Sequence, residues 1–234
     1  MNKTLLVRLV VTLILIVTNT AAFAGQRDVA TDLTTLLRSA RAITVNSNTI
    51  NDPSAFNISN FVTETKRKYE KSAGKKFDES DVLLTQLMDA ITYVIKNAKE
   101  GQYVGKWKTG AYANKFLPAR FARLVGLRFE KLTNGKAIIR LTTSSQLLVN
   151  TENKADAWET DVIEQKFRNP SWPKNKMHDN YTNDGFRLML PEYYTAGCLS
   201  CHGGEQGKAI HAEPVEGQLG AFGGAISVLL YDDD

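Results

Sequence analysis

Apolar residues recur with helical spacing through the first half of the chain. One amphipathic helix is predicted to end before Asn46, because its apolar residues follow the i, i+3, i+4, i+7 pattern: Leu33, Leu36, Leu37 and Ala40. A second, more polar helix is predicted at about Ile58 to Lys71. A third runs from Ser80 to Lys99, and Gly101 follows it where a C-terminal glycine belongs. Its apolar stripe comprises Leu84, Leu87, Met88, Ile91, Ile95 and Ala98.

Strand patterns and short helices alternate in the second half. A helix is predicted to begin at Pro118, and the Asn134-Gly135 turn separates it from the first strand. Another short helix is expected at about Ala157–Phe167. The strands are predicted at Ala137–Thr142, at Phe186–Leu190 with Pro191 stopping it, and at Ala225–Tyr231. Helices followed by segregated strands indicate an α+β fold with a mainly antiparallel sheet. We expect one domain over residues 25–234, with a helical N-terminal part over about 25–100.

Residues 1–24 have the three parts of a secretory signal peptide. Lys3 and Arg8 give a positive start, an apolar run extends from Leu9 to Val17, and Ala22-Phe23-Ala24 forms an A-x-A cleavage pattern. We therefore expect cleavage after Ala24 and a periplasmic protein. The alternative is an uncleaved N-terminal anchor, although the apolar run is short for a membrane span of about 20 residues.

Composition and charge exclude several classes of protein. The 234 residues include 43% hydrophobic and 23% charged residues, which is ordinary for a globular domain. The net charge is +4 and falls to +2 once the leader and its two positive residues are removed, so nucleic-acid binding is not expected. With only two cysteines, a disulfide scaffold and a four-thiolate metal site are excluded.

Both cysteines fall in one pentapeptide, Cys198-Leu199-Ser200-Cys201-His202, which is the C-x-x-C-H pattern of covalent haem attachment. On a helical turn, positions i, i+3 and i+4 share a face. Cys198 and Cys201 can then form thioethers with the two vinyl groups of one haem, and His202 can be the proximal iron ligand. The spacing predicts one covalent haem c.

The pentapeptide has two other interpretations. A C-x-x-C disulfide or thiol redox pair is one, but a thioredoxin-like motif expects a β-α-β context, and none precedes Cys198. A zinc site is the other, and four compact ligands are hard to assemble from so few cysteines and histidines.

Residues 103–234 resemble the PAS-like c-type haem domain family, which is known as lone secreted proteins and as extracytoplasmic sensor domains. The resemblance is carried by matching segments in the same order: 117–124, 156–159, 185–187, 191–194, 198–204 and 223–228. It implies a PAS-like sheet with flanking helices and one covalent haem, used for redox or small-ligand sensing. One branch of the family places a cysteine from an N-terminal helix opposite the proximal histidine. This chain has no third cysteine, so the distal ligand does not carry over.

The distal ligand is left open by the residues themselves. The candidates are His178 and Met177 in a polar loop, His211 in the glycine-rich tail, Met189 in a strand and Met88 in a helical stripe. Exposure is the ordinary alternative for each histidine, and packing for each methionine. A vacant or water-filled sixth position is also open.

Several other side chains are candidates for the haem surroundings. Arg187 and Arg140 alternate out of apolar strand faces and are candidate partners of the haem propionates, with a solvent-facing arginine as the alternative for each. Tyr193 and Tyr194 lie just before Cys198 and are expected to line the pocket. Trp158 and Trp172 are expected in the core or the pocket wall.

The sequence thus predicts a periplasmic monohaem c-type protein for redox or small-ligand sensing. The alternative is a monohaem cytochrome that carries electrons. We see no second haem motif and no paired distal His–Arg signature, so an enzyme is not expected. The expected partners are haem and a small gas or a redox partner protein. Contact with a membrane is expected only through an uncleaved leader.

Overall fold

The structure is a computed structural model that describes residues 25–45, 51–103, 115–205 and 217–232. The predicted signal peptide and its cleavage site lie outside these residues, as does His211. Within these ranges, four α-helices precede the sheet: α1 at residues 25–44, α2 at Ile58–Ala73, α3 at Val82–Lys99 and α4 at Pro118–Leu132. Nowhere in the described ranges is there a helix with both the length and the apolar character to cross a membrane.

The ends of these helices follow from local side-chain chemistry. Asn57 and Asp81 accept backbone N–H bonds at the starts of α2 and α3, and Pro118 occupies the first turn of α4. Asp81 is the N-cap of α3, so the helix begins slightly after the predicted Ser80. Gly101 adopts a φ of 79° one residue beyond the C-cap of α3, as its position in the sequence predicts.

The second half builds a four-stranded antiparallel sheet. Its strands are β1 at Ala137–Thr142, β2 at His178–Thr182, β3 at Gly185–Tyr193 and β4 at Phe222–Leu230, in the order β1-β4-β3-β2. In the described residues, two short α-helices lie in the connections between strands. These are α5 at Ala157–Val162, which a π-helical turn at Ile163–Phe167 continues, and α6 at Ala196–His202. The α+β class and the antiparallel sheet are confirmed.

Alternate residues of each strand belong to two different environments. Phe186, Leu188 and Leu190 of β3 join a large apolar cluster with residues of α1 to α4, and we call this side of the sheet the helical face. Met189 lies on the other side, which we call the opposite face. There it packs with Val162, Ile163, Phe167 and Ala225 in a smaller cluster beneath α5 and the π-helical turn. The sheet is therefore enclosed between two layers.

Two strand predictions are wrong. Pro191 does not stop β3, which continues to Tyr193. The Pro191 carbonyl accepts a bond from Arg38, and β2 pairs no further along β3 than Met189. The missing N–H of the proline therefore falls where no ladder bond is needed. His178 opens β2 instead of lying in a loop, because polar residues are tolerated on an edge strand that only β3 pairs with.

Candidate haem-attachment site

The three residues of the C-x-x-C-H chemistry lie on α6, which begins directly after β3. Thr195 is the N-cap, and its carbonyl accepts the backbone N–H of Cys198 at 2.9 Å. Cys198 and Cys201 are in no disulfide. Because α6 is α-helical through His202, the two thiols and the imidazole share one side of a single turn, as the spacing predicts.

The helix is accessible from outside the protein. None of its seven residues is buried, and both cysteines and His202 are of intermediate exposure. The hydroxyl of Ser200 bonds back to the Gly197 carbonyl at 2.9 Å. The hydroxyl of Thr195 lies 3.2 Å from the Cys198 sulfur. A flat group can therefore approach both sulfurs without the helix having to unfold.

His202 is held by the chain around it. The Gly217 N–H donates to the His202 carbonyl at 2.7 Å, and a Cβ on Gly217 would lie 2.6 Å from that oxygen. The position therefore admits only glycine without a backbone shift. The Tyr194 ring packs at 5.2 Å from the imidazole, tilted by 31°. These contacts fix the orientation of His202 relative to β3.

The two tyrosines lie in different surroundings. Tyr194 is buried, and burial raises the pKa of its hydroxyl, with a further rise from nearby Cys198. Tyr193 instead lines an open cavity of about 310 Å³ with Phe222, Trp172 and Lys174 among its other walls. Burial also raises the pKa of Tyr193. Only Tyr194 contacts a residue of the C-x-x-C-H pattern in the ring contacts of the described residues.

Arg187 is committed to an ion-pair network on the opposite face. Its guanidinium donates to Asp156 at 2.5 Å, lies 3.6 Å from Glu159, and stacks over Trp158 at 4.5 Å. Arg140 pairs with the same Glu159 at 3.2 Å. Although burial alone would raise the pKa of Asp156, the bond from Arg187 holds it below its ordinary value.

The interpretation of Arg187 as a solvent-facing residue is wrong. Its residue exposure is only 7%, because α5 covers this part of the sheet. A capping box at the start of α5, formed by Asp156 and Glu159, presents two carboxylates to the strand. The D-x-x-E spacing of Asp156 and Glu159 is the sequence signal that could have predicted this capping box.

The distal candidates are scattered. His178 lies between two tryptophans, stacked on Trp158 at 6.0 Å and edge-on to Trp172 at 6.1 Å. Burial, and then the charge of Lys166, lowers its pKa. Met189 is fully buried directly across from His178 in the β2–β3 register.

The remaining methionines face the helical layer. Met88 is in the core, as expected for its stripe, and Met177 packs beside that core with its sulfur 3.9 Å from the Thr31 hydroxyl. Neither contact assigns a ligand, so the distal position stays open. In the part of the chain that the structure describes, no three His, Cys, Asp or Glu side chains are grouped to hold a metal ion.

The sequence interpretation missed a cationic cluster beside α6. Arg38 and Arg41 of α1 both donate to Glu192 of β3, at 2.5 and 2.6 Å. The two arginines are three residues apart on a helix, which was a visible signal of a shared face. Their meeting with Glu192 depends on how α1 crosses the end of β3, and the sequence does not show that.

Comparisons with known proteins give one family and one solved structure. A family model described as Tll0287-like matches residues 67–230. The crystal structure of the cyanobacterial haem protein Tll0287 is similar at 16% identity and a TM-score of 0.37, covering 65% of this chain and 94% of that one. No curated protein matches the chain. The family match begins earlier than residue 103, where the sequence resemblance begins, so it includes α3 and part of α2.

Proposed function

This chain belongs to the Tll0287-like family, and from that premise we propose that it is a c-type haem protein with one haem bound covalently to α6. Cys198 and Cys201 would hold the porphyrin, and His202 would be the proximal iron ligand. The observation that carries the proposal is the placement of these three groups on one accessible helical turn with no disulfide. The family's namesake, Tll0287, is described as a haem protein, which agrees with the proposal.

The donor set fits the chemistry of haem attachment. Cys198 and Cys201 would hold the haem through thioether bonds, since addition of a thiol S–H across a vinyl C=C bond places the sulfur on one carbon and the hydrogen on the other. The addition consumes no oxidant, but it requires both sulfurs to be reduced. The accessible thiols of Cys198 and Cys201 meet this requirement.

His202 is suited to hold the iron because its orientation is restrained before any ligand arrives. Gly217 holds its backbone, and Tyr194 packs against its ring. When bound, the haem would supply one-electron redox chemistry or an iron site for a small ligand. The protein would restrain the proximal side and exclude water from it with the buried Tyr194 ring.

We further propose redox or small-ligand sensing in the periplasm, after removal of residues 1–24. The α+β fold supports sensing over simple electron carriage, since small monohaem carriers are expected to be helical. Reduced and oxidised visible spectra with and without carbon monoxide separate the two roles. Carbon monoxide binding, or a ligand exchange on reduction, supports the sensor, and a six-coordinate unreactive haem supports the carrier.

The test of attachment is the intact mass of the secreted protein from a host that matures c-type haem. We expect the mass of a chain that begins at Gly25 plus one haem, and the haem should remain after denaturation. Cys198→Ala should weaken covalent retention, and His202→Ala should change the iron spectrum. Ser200→Ala, on the same helix, is the matched control and should keep both properties. Colourless wild-type protein, or a Cys198–Cys201 disulfide, would refute the proposal.

A further inference from the structure

Two arginines of α1 share a single carboxylate at the end of β3. Arg38 donates its Nε to Glu192 at 2.5 Å and another nitrogen to the Pro191 carbonyl at 2.6 Å. Arg41 donates to the second Glu192 oxygen at 2.6 Å. The cluster of Arg38, Arg41 and Glu192 therefore carries one positive charge that Glu192 does not neutralise.

Arg41 is the member with unused hydrogen-bonding capacity. Its Nε is buried and has no hydrogen-bond partner within the described part of the chain. A buried donor without an acceptor is destabilising, so such a group calls for an explanation. An added carboxylate would satisfy both the donor and the extra charge.

The cluster lies beside the haem-attachment helix. Val45 directly follows the last residue of α1 and comes four residues after Arg41. The Val45 side chain contacts Gly197 of α6 so closely that a Cβ on the glycine would lie 2.6 Å away. On the other side of the cluster, Glu192 precedes Tyr194, which packs on His202. Residues next to the cluster in the chain therefore contact both ends of α6: Val45 contacts Gly197, and Tyr194 contacts His202.

We propose that Arg41 binds a propionate carboxylate of the haem, with Glu192 and Arg38 as the residues that position its guanidinium. This inference rests on the proposed function. It replaces the sequence expectation for Arg187 and Arg140. Among the described residues each of these also has a buried Nε without a partner, but Asp156 and Glu159 balance their two positive charges on the opposite face. Haem carries two propionates, and the surplus positive charge of the cluster matches one of them.

The test is the reduction potential of the purified holoprotein. Loss of a cation near the haem favours the more positive ferric state. Arg41→Gln should therefore shift the ferric/ferrous equilibrium roughly tenfold toward ferric, which lowers the reduction potential by about 59 mV for one electron. Glu192→Gln should shift it in the reverse direction, because it removes an anion. Arg41→Lys should recover most of the wild-type potential.

A second readout separates contact from remote charge. The propionate bending band in the resonance Raman spectrum should move in Arg41→Gln, which a distant charge would not cause. Arg67→Gln, an exposed arginine of α2 paired with Glu64, is the matched control and should leave potential and band unchanged.

The outcomes distinguish this inference from the proposed function. If wild-type protein loses its haem on denaturation, both fail. If the haem is retained while Arg41→Gln behaves like Arg67→Gln, only the propionate assignment fails. It also fails if Glu192→Gln lowers the potential, or if Arg187→Gln alone moves the Raman band.

Discussion

On the helical face of the sheet, Leu188 of β3 joins a cluster that extends through four helices, whereas its neighbour Arg187 on the opposite face lies among carboxylates and a tryptophan. Adjacent residues of one strand thus face two kinds of interior. The helical face is stabilised by continuous apolar packing. The opposite face combines a small apolar cluster with an ion-pair network around the buried Arg187 and Glu159. Alternation along a strand therefore separates two interiors, one apolar throughout and one partly polar.

The largest expected effect is on the free energy of unfolding, and it differs between two adjacent, fully buried residues of β3. Leu188→Ala should lower the free energy of unfolding by about 4 kcal/mol, since the surrounding helical layer cannot collapse into the cavity. Met189→Ala should cost less, about 2 kcal/mol, because the half-buried Trp158 and Trp172 around the smaller cluster can relax. Urea unfolding of both variants measures the difference, and equal losses would show that the two faces are equally rigid.

The next effect concerns the carboxylate that both arginines share on the opposite face. Glu159→Gln keeps the shape of a side chain that is 1% exposed but leaves Arg140 and Arg187 less neutralised. We expect a loss of roughly 2 kcal/mol in the free energy of unfolding. Glu164→Gln, which breaks the more exposed pair with Arg168, is the control and should cost within about 0.5 kcal/mol. A Glu159→Gln loss no larger than the control would mean that the network is not stabilising.

The smallest effect depends on pH and on His178. Its pKa is lowered from 6.5 in the folded protein, first by burial and then by Lys166, so the unfolded chain binds the proton more readily. Above the unfolded pKa both states are neutral and nothing is lost. As the pH falls below about 6.5, the folded state is increasingly disfavoured.

His178→Gln should therefore lose less stability than wild type between pH 7.5 and pH 5, as measured by the urea midpoint at each pH. The comparison within each protein cancels the general effect of the substitution. An identical loss in the two proteins would contradict the assigned environment of His178.

The helices and three of the strands could be predicted because their signals are local. The Leu33–Ala40 stripe, the Pro118 start and the Asn134-Gly135 turn each depend on residues close in the chain. β2 could not be predicted in this way, because its five residues are mostly polar and become a strand only by pairing with β3. The prediction that Pro191 ends β3 is wrong for the same reason, since a proline stops a strand only where a neighbouring strand needs its N–H.

For the candidate site, the sequence alone determined which groups lie together on α6, because the spacing of Cys198, Cys201 and His202 fixes their common side once the segment is helical. Only the tertiary structure decided which charges surround that helix and which do not. Arg41 meets Glu192, and Arg187 meets Asp156, across 151 and 31 residues of chain. Such pairs form when packing of whole elements brings distant residues together, so no local pattern of residues encodes them.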